Sequence, residues 1–394
     1  MSKESASSKL SKLINVEKVV DEPKKKKSMK QILTETNAKK DVRSNKAIMA
    51  KNKRRPQVIP TGVMALDYAL GIGGLPRGRI GMIYGYESSW KSTVCLRTIA
   101  QVQKMGGQAI YVDAERTFDP KWAKAHGIDM DADTFGLTEP NTAEEAFDEM
   151  TKFIEDGVDI IVLDSLVALS PKKEMYDDEK GTNASITKNA MGVFPKQVSQ
   201  WCRTNIGRIA DNGTLFIVIN QLRDNLGMFG SPTSIPGGRA IKFYSSFMIG
   251  MRKLGGKDGE IKDGEDLVGS KYKLKIDKLK VAQFGREAEF SAYGAVLDNY
   301  SSLLEIGLRE EIILRDGNKK YTFKDLAFNG KPALHRALFN DVALYDSVYK
   351  ELLTKIDANI FDPFAKIKNV NGTADIELPS DDEEIVLESS EPEE

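Results

Sequence analysis

The string Gly85-Tyr86-Glu87-Ser88-Ser89-Trp90-Lys91-Ser92 follows a β-branched, strand-like run, Arg79-Ile80-Gly81-Met82-Ile83-Tyr84, and leads into a helical pattern opening at Thr93. Strand, loop and helix, with Lys-Ser at the helix start, is the layout of a phosphate-binding P-loop in all but one position, and it implies a bound nucleoside triphosphate. The physics asks for this order. Backbone N–H groups lead into a helix N-terminus, whose orphan donors and positive dipole end attract polyphosphate. Lys91 would reach the β- and γ-phosphates, and the Ser92 hydroxyl would ligate Mg²⁺. The misfit is Trp90, where the pattern wants glycine. If that position needs a positive φ, tryptophan there costs about 1–2 kcal/mol of backbone strain. Taken alone, the string also fits a plain strand-to-helix turn with a chance Lys-Ser.

The rest of the chain repeats the strand-helix order. A short helix is expected over Ala65 to Leu70, a turn at Gly73-Gly74-Leu75-Pro76-Arg77-Gly78, and a helix from the P-loop to about Met105. Then come a strand Gln108 to Val112, helices near Pro120 to Ala125 and Ala143 to Glu155, and the apolar strand Ile160-Ile161-Val162-Leu163. A helix from about Phe194 to Ala210, a strand Thr214 to Ile219 and a strand near Ser246 to Arg252 follow. This alternation predicts an α/β fold with a mainly parallel central sheet, covered by helices on both faces. The runs Lys271 to Ile276 and Ala288 to Phe290 read as antiparallel additions. From about Leu297 the pattern becomes helical, with a hairpin near Asp316-Gly317-Asn318. The expected organisation is a basic arm over 1–56, a P-loop core over 57–296, a small α+β C-terminal domain over 297–365, and an acidic tail over 366–394.

Net charge is only −1 over 394 residues, but the average hides an asymmetry. Lys24 to Lys27 and Lys51-Asn52-Lys53-Arg54-Arg55 make the arm basic, whereas Asp375 to Glu394 holds ten acidic residues and no basic one. Such blocks are usually solvated interaction tails, and this pair suggests a protein that handles a polyanion. Cys95 and Cys202 match no zinc spacing and fit a reducing compartment, hence the cytoplasm. His126 and His335 are isolated, which leaves no Ser-His-Asp triad and no histidine metal site. No apolar run approaches the ~18 residues of a membrane span.

Asp164 ends the 160–163 strand at its carboxyl edge, where ligands bind in open α/β sheets. A carboxylate there can hold Mg²⁺ through water, opposite Ser92, although an acid at a strand end is also often a helix cap. Asp113-Ala114-Glu115 puts a second acid pair at the same edge. Glu115 can orient a water for phosphoryl transfer, or simply pair with Arg116. Asn220-Gln221 ends the third strand, well placed to sense a γ-phosphate. Two long segments without regular pattern, 171–191 and 222–238, follow the Asp164 and Gln221 strands, and loops that long are functional or disordered. They carry or adjoin Lys188, Lys196, Arg203 and Arg223, with Met228 and Phe229 as stacking faces for bases. A nucleotide-gated surface for single-stranded nucleic acid fits these residues, and so does a lid over a small substrate.

From about Ile59 to Gly307 the chain resembles a RecA-family recombinase. The likeness rests on long strings: Leu66-Asp67-Tyr68-Ala69-Leu70-Gly71-Ile72-Gly73-Gly74-Leu75-Pro76-Arg77-Gly78-Arg79-Ile80, Tyr84-Gly85-Tyr86-Glu87-Ser88-Ser89, Phe118-Asp119-Pro120, Ile219-Asn220-Gln221-Leu222-Arg223, Met228-Phe229-Gly230 and Gly237-Gly238-Arg239-Ala240-Ile241-Lys242-Phe243-Tyr244. The resemblance implies Glu115 as catalytic base and Gln221 as γ-phosphate sensor, with Lys91 at the phosphates. It implies Trp122 stacked on adenine with Asp119 beside it. It makes the segments near 171–191 and 222–238, with Arg239 at the close of the second, the two DNA-binding loops. Lys278 and Lys280 match a lysine pair that reaches a neighbouring subunit's ATP. The implied protein is a DNA-dependent ATPase using ATP and Mg²⁺. It would form a helical homo-oligomeric filament on single-stranded DNA, pair that strand with a homologous duplex, and involve no membrane. On the same core, a ring-forming helicase or a non-hydrolysing ATP switch stays open. Trp90 and the basic arm depart from the family pattern, although an aromatic at position 90 is more like phage-encoded members.

Overall fold

In a computed structural model, the structure describes residues 57–177, 182–183, 192–224, 233–236, 238–282, 285–317 and 319–361. The basic arm, the acidic tail, Lys188, Met228 and Phe229 lie outside the described residues. The strands of the main sheet are β1 (Arg79–Gly85), β2 (Ala109–Asp113), β3 (Phe135–Thr138), β4 (Ile160–Asp164), β5 (Leu215–Gln221), β6 (Phe247–Lys253), β7 (Glu260–Asp263), β8 (Asp266–Leu279), β9 (Glu287–Tyr293) and β10 (Val296–Leu297). The order across the sheet is β10-β9-β8-β6-β1-β5-β4-β2-β3, with β7 paired to β8. The six strands from β6 to β3 run parallel; β8, β7, β9 and β10 add antiparallel rungs.

The parallel strands are apolar on both sides because helices cover both faces. Along β4, Ile160 and Val162 join one core cluster while Ile161 and Leu163 join the other. β5 divides the same way, with Leu215, Ile217 and Ile219 against Phe216 and Val218. The first face is covered by α1 (Met64–Leu70), α2 (Lys91–Lys104) and Ala123 of α3 (Pro120–Ala125). The second is covered by α4 (Ala143–Glu155), α5 (Val193–Asn212) and α6 (Gly238–Tyr244). α4 shows how the sequence sets a helix. Thr142 caps it by accepting from the Glu145 N–H at 3.2 Å, and Ala143, Ala146, Phe147, Met150 and Ile154 make one buried stripe.

Beyond residue 297 come α7 (Asn299–Arg309), a three-stranded antiparallel sheet of β11 (Leu314–Asp316), β12 (Lys320–Phe323) and β13 (Leu326–Asn329), then α8 (Lys331–Asn340) and α9 (Val342–Phe361). Leu303, Tyr321, Phe323, Leu334 and Val348 form their own core, and Met64 of α1 is part of it. The joint is polar and specific. The Gly62 carbonyl accepts from Arg97 of α2 at 3.0 and 3.2 Å and from the Asn299 amide at 3.1 Å, while Asn299 Oδ1 accepts from the Met64 N–H at 3.1 Å.

The two long segments are less featureless than the sequence suggests. Lys172–Met175 is a short helix, Tyr176–Asp177 pairs with Thr182–Asn183, and Arg223–Asp224 pairs antiparallel with Thr233–Ser234. Two-residue pairings carry too little hydrophobic alternation to show in sequence. β3 also went unforeseen. Phe135-Gly136-Leu137-Thr138 is only four residues long and contains a glycine, and it lies at the sheet edge, paired only with β2.

Candidate nucleotide site

β1 delivers the loop to the carboxyl edge of the sheet. Gly85 is required there, since a Cβ would lie 2.1 Å from the Met251 carbonyl oxygen of β6. Ser88 and Trp90 have φ of 55° and 69°, so the left-handed backbone falls on the tryptophan that replaces the expected glycine. Trp90 is nevertheless buried. Its ring centroid lies 5.6 Å from His126, 5.4 Å from Tyr272 and 5.6 Å from Phe290. The indole packs into the core behind the loop.

Lys91 Nζ turns back on the loop, donating to the Tyr86 carbonyl at 2.5 Å and meeting Ser89 Oγ at 3.2 Å. Burial lowers its pKa, and the charges of Asp164 and Glu115 act in the opposite direction. A buried cation ringed by acids and neutral oxygens is suited to take a polyanion in place of those contacts. The Tyr86 side chain, 42% exposed, points away from this lysine, and its hydroxyl donates to Asp224 at the base of the 222–238 segment. Glu87 is exposed, and Ser89 is buried.

Ser92 Oγ donates to Asp164 Oδ2 at 2.6 Å, and the Tyr111 hydroxyl donates to the same oxygen. Burial raises the Asp164 pKa, against the lowering effect of those two donors. Asp113 stands beside Asp164 in register on β2, and its Oδ1 is buried without a hydrogen-bond partner. A hydroxyl, a carboxylate and an orphaned carboxylate oxygen form a hard oxygen donor set, and this fits Mg²⁺ with most of its waters retained. Among the described residues no group of three or more His, Cys, Asp or Glu side chains could hold a metal ion.

Glu115 Oε1 accepts from Gln221 Nε2 at 2.9 Å and from the Ser165 hydroxyl. The acid after β2 and the amide ending β5 therefore meet in front of β4. Asn220 Nδ2 donates to the Pro236 carbonyl at 2.9 Å, pinning the return of the 222–238 segment to the same strand end. Nothing in the sequence marks Ser165 and Tyr111, because their partners Glu115 and Asp164 come from other strands.

A cavity of about 300 Å³ opens beside the helix start, lined by Ser88 to Thr93 together with Trp122 and Tyr272. Trp122 Nε1 donates to Thr93 Oγ1 at 3.2 Å. Asp119 does not line this cavity. Its Oδ1 caps α3, accepting from the Lys121 and Trp122 N–H groups at 2.8 and 3.3 Å, so it acts by seating Trp122.

The other expected residues lie apart. Lys196 and Arg203 are exposed on α5, Arg239 on α6, and Arg223 at the start of the paired segment. Lys278 Nζ donates to the Lys242 and Phe243 carbonyls at 2.6 and 3.3 Å, at the end of α6, and Lys280 is exposed. Lys278 pairs with Met248, whose β1 neighbour is Met82, three rows short of Gly85. That is roughly 10 Å along the strand from this protomer's own P-loop.

Comparison with known proteins accords with this geometry. The RecA N-terminal domain model matches residues 27–297, reaching upstream of Ile59 into the basic arm. The chain is 39% identical over 303 residues to Protein RecA of Salinispora arenicola, covering 76% of this chain and 83% of that one. It is 39% identical over 304 residues to Protein RecA of Chlorobium chlorochromatii, covering 76% and 82%. With Protein RecA of Symbiobacterium thermophilum the identity is 43% over 275 residues, covering 68% and 75%. A P-loop on β1, acids ending β2 and β4, an amide ending β5 and a family match over most of the chain lead to one assignment: the chain belongs to the RecA family of recombinases.

Proposed function

We propose that this protein is a DNA-dependent ATPase that forms a helical filament on single-stranded DNA and promotes pairing with a homologous duplex in recombination and repair. Family membership supports the recombination and repair role. The site residues have complementary parts in ATP turnover. Lys91 exchanges the Tyr86 carbonyl and Ser89 for the β- and γ-phosphates. Ser92 and Asp164 offer oxygens to Mg²⁺, which when bound would neutralise charge on the phosphate oxygens. Glu115 orients the attacking water and takes its proton, and Trp122 offers a face to the base. Lys278 and Lys280, remote from this protomer's P-loop, serve the ATP of a neighbour. Arg223, Lys196, Arg203 and Arg239 contact DNA, the role also expected of Lys188, Met228 and Phe229. No helix among the described residues is long and apolar enough to cross a membrane, and the cytoplasm is the proposed compartment.

The observation that carries this reading is the 2.9 Å hydrogen bond from Gln221 to Glu115. It ties the acid at the nucleotide edge to the last residue of β5, one step before the segment assigned to DNA. A γ-phosphate competing for Gln221 would alter the root of that segment, which couples ATP to DNA grip. Lys91→Ala should abolish hydrolysis and ATP-dependent DNA binding together. Glu115→Gln should keep ATP-dependent DNA capture while turnover falls by about 10²–10⁴, the contribution of a positioned acid–base group. Phosphate release, filter binding and electron microscopy with single-stranded DNA check all three readouts. Unchanged turnover in Glu115→Gln would remove Glu115 from the mechanism, and rings in place of filaments would make the protein a motor.

A further inference from the structure

His126 is a buried histidine with nowhere ordinary to put its proton. The residue is 4% exposed, and neither ring nitrogen has a hydrogen-bond partner among the described residues. Burial, helped by the Arg97 charge, pushes its pKa down to about 4, so the ring is neutral near pH 7. A neutral imidazole still carries one N–H. What surrounds it is aromatic. Its centroid lies 4.6 Å from Trp122 at an interplanar angle of 69°, and 5.6 Å from Trp90 at 79°. Both are edge-to-face arrangements, in which the positive edge of one ring meets the negative face of another, and an N–H can serve as the edge.

Each indole is held a second way. Trp122 donates its ring N–H to Thr93, the residue after Lys91-Ser92, while Trp90 packs on Tyr272 and Phe290 of β8 and β9. A continuous row of rings therefore runs from the antiparallel part of the sheet, through the strained residue of the P-loop, to Trp122 at the wall of the 300 Å³ cavity. Strained backbone that persists at a ligand site is commonly part of how the site is organised.

We propose that Trp90 and His126 are positioning residues for the nucleotide base: gripped between two indoles, the imidazole sets the plane of Trp122 relative to the phosphate loop and gives the site its preference for purines over pyrimidines. The proposal rests on the cavity being the nucleotide site. A rigid platform at a fixed height above the loop rewards a base with a large stacking face, whereas a loose one discriminates less.

The test is steady-state hydrolysis of ATP and CTP by His126→Leu in the presence of single-stranded DNA. The KM for ATP should rise about three- to tenfold, the size of one edge-to-face ring contact, with a smaller fall in kcat. The ATP-to-CTP ratio of kcat/KM should drop by a similar factor, and His126→Phe, which keeps a ring edge, should recover part of that ratio. A merely structural histidine would lower the melting temperature and both nucleotides' kcat/KM alike, leaving the ratio at the wild-type value, and that result overturns the proposal. If His126→Leu does not fold, His126→Met carries the same comparison. Trp122→Ala separates the two layers of the argument. If it too leaves the ratio unchanged, the base is not on Trp122 and the reading of the cavity fails. If it lowers the ratio while His126→Leu and His126→Met do not, only the relay is lost.

Discussion

Trp90 sits at φ 69°, a conformation that costs a β-carbon-bearing residue about 1–2 kcal/mol. Its three ring partners offset this, since each aromatic pair contributes roughly 0.5–1.5 kcal/mol beyond simple burial. Asp67 presents the opposite case, a polar group whose position is costly at neutral pH. It is buried, accepts from the Thr61 N–H at 2.9 Å and the Thr61 hydroxyl at 2.8 Å, and its pKa is pushed up to about 7. Desolvation is the cause, and it outweighs the Thr61 hydrogen bonds. Between pH 4 and pH 7 the folded state thus binds more protons at Asp67 than the unfolded state does. The protonated carboxyl's contribution is fully present below about pH 4 and is lost as pH rises to 7. Asp67→Asn keeps an acceptor for Thr61 and removes the titration. Relative to wild type its stability should increase by on the order of 2–4 kcal/mol across that interval, measured by denaturant unfolding at a series of pH values. A constant difference between the two proteins from pH 4 to 7 would show that Asp67 does not titrate in the fold.

Among the elements, β1 has little room to change. Gly81 faces Phe247 of β6 so closely that a Cβ would fall 1.8 Å from the ring's Cζ. Gly81→Ala should therefore destabilise by about 1–3 kcal/mol through overpacking, and Phe247→Leu in the same chain should recover part of the loss, both read from denaturant midpoints. The strands legible in sequence were those buried on both faces, such as Ile160–Asp164 and Leu215–Gln221, together with helices that carry both a cap and a stripe. Elements stabilised from outside their own sequence were hidden: β3 at the sheet edge, and the two-residue pairings inside the 171–191 and 222–238 segments. The site divides the same way. Lys91 and Ser92 could be read from the Lys-Ser pair at a helix start, and Asp164, Glu115 and Gln221 from strand ends, because a strand's carboxyl terminus fixes where its next side chain goes. Tyr111, Ser165, Tyr272 and His126 could not, since each gains its role only when distant strands and helices are brought side by side. In sequence His126 stands isolated from the other histidine, His335.

At the scale of the whole molecule, the elements after residue 297 share a core with α1 through Met64. The Gly62 carbonyl, which accepts from both Arg97 and Asn299, makes this connection mechanical. Arg97 lies six residues along α2 from Lys91, about 9 Å of stiff helix. Asn299→Ala should leave the three hydrophobic cores in place but speed amide hydrogen exchange over residues 62–70 and the first turns of α2, and unchanged exchange there would show the joint to be passive. The same oxygen is a shared anchor for the helix that opens at Lys91 and the helix that opens at Asn299, so one backbone atom joins the start of the C-terminal elements to the helix of the candidate phosphate loop.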